Sequence, residues 1–222
     1  MISIFHDPSS ITPHTSNLMD ITLDNVGRRF NKEWIFKNIN FEFSSNKKYA
    51  VLGPNGSGKS TLLSIILGSL TTSEGEINYK SNKYLRVEDI YQYLSFAAPY
   101  LDLIEEFTLQ ETLAFHFQFK AYAKGLDANA VLELLGLKKS QDKALKYFSS
   151  GMKQRTKLAL ACCTDSPILI LDEPTSNLDA QGIAWYLELI EQFAGDKMVI
   201  VGSNQEHEYA FCSERLNISD YK

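Results

Sequence analysis

Tyr49-Ala50-Val51-Leu52-Gly53-Pro54-Asn55-Gly56-Ser57-Gly58-Lys59-Ser60-Thr61 passes from a short apolar run, through a turn carrying three glycines, into residues that are apolar at helical spacing as far as Leu67. The order is strand, loop, helix, and residues 53–60 fit the spacing G-x-x-x-x-G-K-[ST]. Glycines let such a backbone curl so that several N–H groups point at one anion. The start of the helix adds the positive end of its dipole. Lys59 supplies a point charge for the β- and γ-phosphates of a nucleotide, and the Ser60 hydroxyl suits a Mg²⁺ ligand. Gly53, Pro54, Asn55, Gly56, Ser57, Gly58, Lys59, Ser60 and Thr61 therefore form the candidate nucleotide-binding set. The plain alternative is a glycine-rich turn in front of a helix; the strand that precedes it argues for phosphate.

A second stretch, Ile168-Leu-Ile-Leu-Asp172-Glu173, is an unbroken apolar run ending in two acids, with Asp172 113 residues after Lys59. Short runs of this kind suit strands buried on both faces of a parallel sheet. Such a sheet gathers the carboxyl ends of its strands along one rim, where ligands bind. Asp172 is then placed to hold Mg²⁺, directly or through water, and Glu173 to orient or deprotonate an attacking water. Read alone, the two acids are equally an ordinary solvated strand end before Pro174.

Around these stretches strand and helix signals alternate. Asp20–Leu23, Ile39–Phe43, Tyr49–Leu52, Gly75–Tyr79, Leu94–Ala97 and Met198–Val201 read as strands. Thr108-Leu-Gln-Glu111 is a capping box ahead of a helix expected to reach about Ala123. Asp127 caps a second helix ending at Gly136, Gly151–Cys163 is a third, and Asp179 caps a fourth through Phe193. The chain is α/β at both ends, with a helical insert at about 98–160.

A hydrophobic fraction of 44% over 222 residues supports one sizeable core. The longest apolar stretches, 62–67, 168–171 and 198–201, fall far short of the ~20 residues that span a bilayer. A net charge of −5 without a dense Lys/Arg stripe gives no reason to expect a nucleic-acid partner. Three cysteines, Cys162, Cys163 and Cys212, form neither a disulfide framework nor a zinc pattern and read as buried thiols. Residues 1–18 carry Pro8, Pro13 and a Ser/Thr/His mixture, without the basic and apolar segments of a signal peptide. They read as an N-terminal extension, either a loose tail or sequence upstream of a start at Met19.

A third motif is needed to go further. Phe148-Ser149-Ser150-Gly151-Met152-Lys-Gln-Arg155 stands ahead of a helix and shortly before the acidic strand. Ser149 offers a hydroxyl, and Ser150 and Gly151 offer backbone N–H groups at a helix start, an anion site of the same kind as the first. In isolation it is a plain helix cap. In this order, however, the set resembles an ABC-family nucleotide-binding domain. Residues 148–152 look like a variant of that family's signature, Leu-Ser-Gly-Gly-Gln, and Asp172-Glu-Pro-Thr-Ser-Asn-Leu-Asp179 looks like its Walker B segment and D-loop. The matches run from about Phe30 to Asn204.

The resemblance implies a P-loop NTPase core with a mostly parallel sheet, an N-terminal antiparallel β portion and a helical subdomain insert, all within residues 19–222 as a single ATP-binding domain. It implies ATP and Mg²⁺ as ligands, held by Ser60 and Asp172 on the metal side. It implies a head-to-tail pair, expected as a homodimer, in which Ser149, Ser150, Gly151 and Met152 of one copy face the γ-phosphate bound by the other. It also implies a transmembrane permease partner and a cytoplasmic, peripheral location at the inner face of the membrane. The family usually stacks an aromatic on adenine; Phe30, 29 residues before Lys59, fits, with Trp34 and Phe36 as competitors.

Two positions depart from the pattern. Where the family has a glutamine after the strand near residue 97, this chain has Pro99 or a neighbour; Gln92 and Gln110 are not at the expected spacing. Where the family has a histidine after its last core strand, this chain has Asn204, which donates a hydrogen bond but does not become a cation. His207 is a candidate substitute. With Glu173 retained, the expectation is slow hydrolysis. Three functions compete: a transport ATPase subunit, a soluble ABC-family ATPase, and an ATP-sensing module with weak or no turnover.

Overall fold

A computed structural model describes residues 18–222, so the expectation for residues 1–17 of the N-terminal extension lies outside the described residues. Two sheets organise the chain. The first is antiparallel: β1 (Asp20–Phe30), β2 (Glu33–Phe43), β4 (Glu74–Lys80) and the short β5 (Tyr84–Leu85) lie in the order β2-β1-β4-β5. The second is parallel: β3 (Lys48–Leu52), β6 (Leu94–Ala97), β7 (Ile168–Asp172), β8 (Met198–Gly202) and β9 (Glu214–Asn217) lie in the order β6-β7-β8-β3-β9.

Local chemistry builds the parallel sheet, while pairing extends the antiparallel one. β1 runs seven residues past its expected end, through Asp24, Asn25 and Gly27, which are poor strand formers. Asn25 takes a positive φ of 52°, and the register shifts between Leu23 and Val26, so the strand absorbs them as a bulge. Pairing on both edges, with β2 and with β4, overrides the propensity. All five residues of β7 and of β8 are buried, as their continuous apolar sequences require in a sheet covered on both faces. Each buried Leu, Ile or Val there contributes about 1.5–3 kcal/mol.

The described residues also hold six α-helices, α1 (Lys59–Ile66), α2 (Leu109–His116), α3 (Ala128–Leu135), α4 (Ser150–Cys162), α5 (Ala180–Phe193) and α6 (Glu206–Tyr209), besides four short 3-10 turns. The helices α2, α3 and α4 stand between β6 and β7 and share their own apolar cluster, built on Leu109, Leu113, Leu132, Leu135, Leu145 and Phe148. Thr108 and Glu111 form the expected capping box on α2. The helix stops at His116, not near Ala123. Beyond it, Ala123 N–H donates to the Cys163 carbonyl at 2.7 Å, and Lys120 Nζ donates to the carbonyls of Leu94 (3.0 Å) and Tyr91. Phe117 stacks on Tyr122 at 3.6 Å. These long-range bonds take the chain away from helical pairing. Cys162, Cys163 and Cys212 are buried and unpaired, and burial pushes each thiol up to about 12.

Candidate functional site

The parallel order places the ends of β6, β7, β8 and β3 side by side on one rim. Across that rim stand Pro99 and Tyr100, then Asp172 and Glu173, then Ser203 and Asn204, then the loop from Gly53 to Lys59. Residues 113 apart in sequence, Lys59 and Asp172, are thus neighbouring functional groups.

The loop is curled tightly enough that Ser57 N–H donates to the Pro54 carbonyl at 3.0 Å. Gly58 caps α1 with φ of 107°, and a Cβ there would lie 2.5 Å from Ile35 Cγ2, so only glycine fits. Lys59 is almost fully buried, and its Nζ donates to the carbonyls of Gly53 (2.9 Å) and Pro54 (3.3 Å), folding over the loop. Lys222 Nζ joins this loop to the antiparallel sheet, donating to Ser57 O at 2.7 Å and to Ile35 O at 2.8 Å.

Asp172 is 1% exposed. Burial pushes its carboxyl above the usual range; the Ser60 and Tyr100 hydroxyls pull it back, Glu173 raises it, and Lys59 lowers it. Its Oδ2 accepts from Tyr100 Oη at 3.0 Å. Its Oδ1 is buried and has no hydrogen-bond partner, and the same holds for Ser57 Oγ in the loop. A buried carboxylate with one oxygen unpartnered, within the influence of the Ser60 hydroxyl and the Lys59 charge, suits a hard divalent cation next to phosphate, so these residues fit the group. Glu173 is held at φ of 42° by its N–H bond to the Gly202 carbonyl at 2.9 Å. For a non-glycine residue that costs roughly 1–3 kcal/mol, strain of the kind that marks functional positions.

Asn204 reaches the loop: its Nδ2 donates to Asn55 Oδ1 at 3.1 Å. His207 faces elsewhere, with Nε2 3.0 Å from Thr175 Oγ1. Phe36 is fully buried in the core, which removes it from the adenine candidates. Phe30 is 46% exposed with the Arg28 guanidinium 4.6 Å over its ring; Trp34, half-buried, lies between Arg29 and Lys37.

Ser149 caps α4 by accepting from Met152 N–H at 3.2 Å, and Ser149 and Ser150 are exposed. A Cβ on Gly151 would sit 3.0 Å from the Asn177 carbonyl, so α4 begins directly against the segment after β7. Gln154 Nε2 seals that contact on the Pro174 carbonyl at 2.9 Å. Asp179 spends one oxygen capping α5 through Gly182 N–H at 2.8 Å.

Two residues here escaped the sequence reading. Tyr100 is one. The other is Glu208, fully buried, which accepts from Thr175 N–H (2.7 Å), Thr175 Oγ1 (2.5 Å) and Ser203 Oγ. A polar residue four after Asn204 in a short helix gives no signal of its own; only the sheet order brings it beneath the segment after β7.

Comparison with known proteins decides the class. The model of the ABC transporter family matches residues 36–176, which is more than half of the chain. The chain belongs to the ABC transporter family of ATP-binding subunits. It therefore binds and hydrolyses ATP. Among its relatives is the lantibiotic transport ATP-binding protein SrtF of Streptococcus pyogenes, 33% identical over 189 residues, covering 83% of this chain and 79% of that protein. The energy-coupling factor transporter ATP-binding protein EcfA1 of Thermotoga maritima is 34% identical over 201 residues, covering 86% and 74%. In fold, an ABC transporter ATP-binding protein from Pyrococcus furiosus superposes with a TM-score of 0.75 at 20% identity, covering 91% of this chain and 99% of that one. A dimeric bacterial ABC transporter cassette superposes with a TM-score of 0.72 at 23% identity, covering 89% and 94%. Among the described residues no helix is long and apolar enough to cross a membrane.

Proposed function

We propose that this ABC subunit clamps ATP with Mg²⁺ between two copies of itself and powers a separate membrane permease from the inner face of the membrane. The observation that carries the reading is the division of anion-binding groups. One helix start, α1, is backed by Lys59 and by the orphan oxygen of Asp172 on the same rim; the other, at α4, presents Ser149 and Ser150 bare to solvent. The names of the relatives, which are ATP-binding proteins of lantibiotic and energy-coupling factor transporters, support the permease.

In this reading Lys59 exchanges two carbonyl acceptors for phosphate oxygens when ATP enters. Asp172 and the Ser60 hydroxyl would hold Mg²⁺, which would neutralise charge on the β- and γ-phosphates. Glu173 orients the attacking water. Asn204, already at Asn55, donates to the γ-phosphate without carrying a proton charge. Ser149 and the N–H groups of Ser150 and Gly151 complete the cage from the second copy. Phe30 carries the adenine, being exposed where Phe36 is not. Turnover is slow, because Asn204 and Pro99 supply less than the usual family residues.

The test is isolation from native membranes. Co-purification with a multi-span membrane protein, and loss of its transport with Lys59→Ala, support the reading. A protein that stays free of membranes and associates with ribosomes or DNA contradicts it. Pro99 and Asn204 favour a second reading, an ATP-sensing module with weak turnover. Phosphate release from the assembled complex that is unchanged by Glu173→Gln would support that second reading.

A further inference from the structure

Tyr100 lies on the segment after β6, three residues beyond the strand end at Ala97. Half of its surface is open to solvent, yet its hydroxyl points inward and donates to Asp172 Oδ2 at 3.0 Å, across 72 residues of sequence. Three contacts hold it there. Pro99 fixes the backbone just before it. The Pro99 carbonyl accepts from Lys157 Nζ of α4 at 2.6 Å. The Phe96 ring lies 6.3 Å from the Tyr100 ring.

The consequence falls on Asp172. A free carboxylate offers two equivalent oxygens and turns about its terminal torsion. Here Oδ2 is committed to a phenol, while Oδ1 is buried without a hydrogen-bond partner against Gly202, where a Cβ would lie 3.0 Å from it, so the carboxylate is held in one orientation. Groups that bond to a metal ligand from behind fix its orientation and raise metal affinity, typically ~10–100-fold.

We propose that Tyr100 is a positioning residue of the nucleotide site, whose hydroxyl fixes the orientation in which the Asp172 carboxylate would meet a divalent cation. Pro99 and Lys157 brace it from the helical region, so the lock is tied to the same helix that carries Ser149 and Ser150. The inference rests on the Mg²⁺-assisted ATP site proposed above.

The experiment uses the purified full chain with Mn²⁺ as the probe. Mn²⁺-dependent binding is measured by calorimetry with preformed MnATP, since ATP itself chelates the ion, and ATP affinity is measured separately in EDTA. Tyr100→Phe removes only the hydroxyl, and the phenyl ring keeps its contact with Phe96. The expected result is about tenfold weaker Mn²⁺ binding, with ATP affinity in EDTA within about twofold of the parent. Tyr100→Gln, which keeps a donor, is expected to recover part of the loss. Near-UV circular dichroism establishes that each variant is folded. Unchanged Mn²⁺ affinity in Tyr100→Phe, or equal losses with Mn²⁺ and in EDTA, would overturn the inference. A parent chain that takes up no Mn²⁺ with ATP would instead overturn the site itself.

Discussion

Replacing Glu208 by alanine asks how the segments after β7 and β8 are held beside the phosphate loop. The Glu208 carboxylate accepts three bonds: from Thr175 N–H at 2.7 Å, from Thr175 Oγ1 at 2.5 Å and from Ser203 Oγ. Glu208 and Ser203 are fully buried and Thr175 is 5% exposed. On truncation the two hydroxyls retain other contacts, because Thr175 Oγ1 is 3.0 Å from His207 Nε2 and Ser203 Oγ accepts from Gln205 N–H at 2.9 Å. The Thr175 N–H loses its acceptor, at a cost of about 1–3 kcal/mol. The lost side-chain packing adds to this, and relief from burying a charge offsets part of it. A net loss of about 3 kcal/mol is expected, equivalent to about 6–12 °C in Tm at the ~2–4 °C per kcal/mol of chains this long. Glu208→Gln keeps an acceptor for Thr175 and a donor for the Ser203 hydroxyl, and should cost about 1 kcal/mol. Urea unfolding gives both values, and ATPase assays should show the same ranking, since Ser203 precedes Asn204. If Glu208→Ala unfolds within 0.5 kcal/mol (about the spread of neutral surface substitutions) of the parent, the carboxylate does not hold these segments.

Two further perturbations follow from the same geometry. Asn204→His should raise steady-state phosphate release several-fold, because an imidazole at the Asn55 contact carries a titratable proton toward the γ-phosphate; an unchanged or lower rate in the folded variant speaks against the position assigned to Asn204. Burial, with Lys120 adding to it, lowers His116 from 6.5 to about 4. The unfolded chain therefore takes up this proton below about pH 6.5 while the folded chain stays neutral down to about 4, so the contribution is present above that window and is lost as pH falls through it. At pH 5 that amounts to about 2 kcal/mol, and urea midpoints of His116→Gln should fall less steeply from pH 7.5 to 5 than those of the parent.

What could be read in the sequence was whatever is encoded locally. The turn at residues 53–60 needs its glycines and Lys59 next to one another, and the strands β7 and β8 announce themselves by continuous apolar runs. The caps at Thr108, Asp127 and Asp179 were legible for the same reason, each bonding an N–H three residues on. Contacts between distant segments were not legible. Helix α2 ends early because Lys120 and Ala123 find acceptors on Leu94 and Cys163, neither of which is near in sequence. β9 was missed since Glu214–Asn217 is a short polar strand that exists by pairing with β3. The site divides along the same line. Lys59, Asp172 and Glu173 stand in recognisable local patterns, whereas Tyr100 acquires its meaning from a carboxylate 72 residues away.

The proposed function requires ATP to close two copies of this chain on each other, the loop of one against Ser149–Gly151 of the other. Sedimentation of Glu173→Gln with and without saturating MgATP reports this pairing. Closure shifts the chain from 25.1 kDa to twice that mass with nucleotide, and the shift is lost when Ser149 and Gly151 are replaced by bulkier residues. A Glu173→Gln chain that binds ATP in calorimetry yet sediments at 25.1 kDa throughout would contradict it.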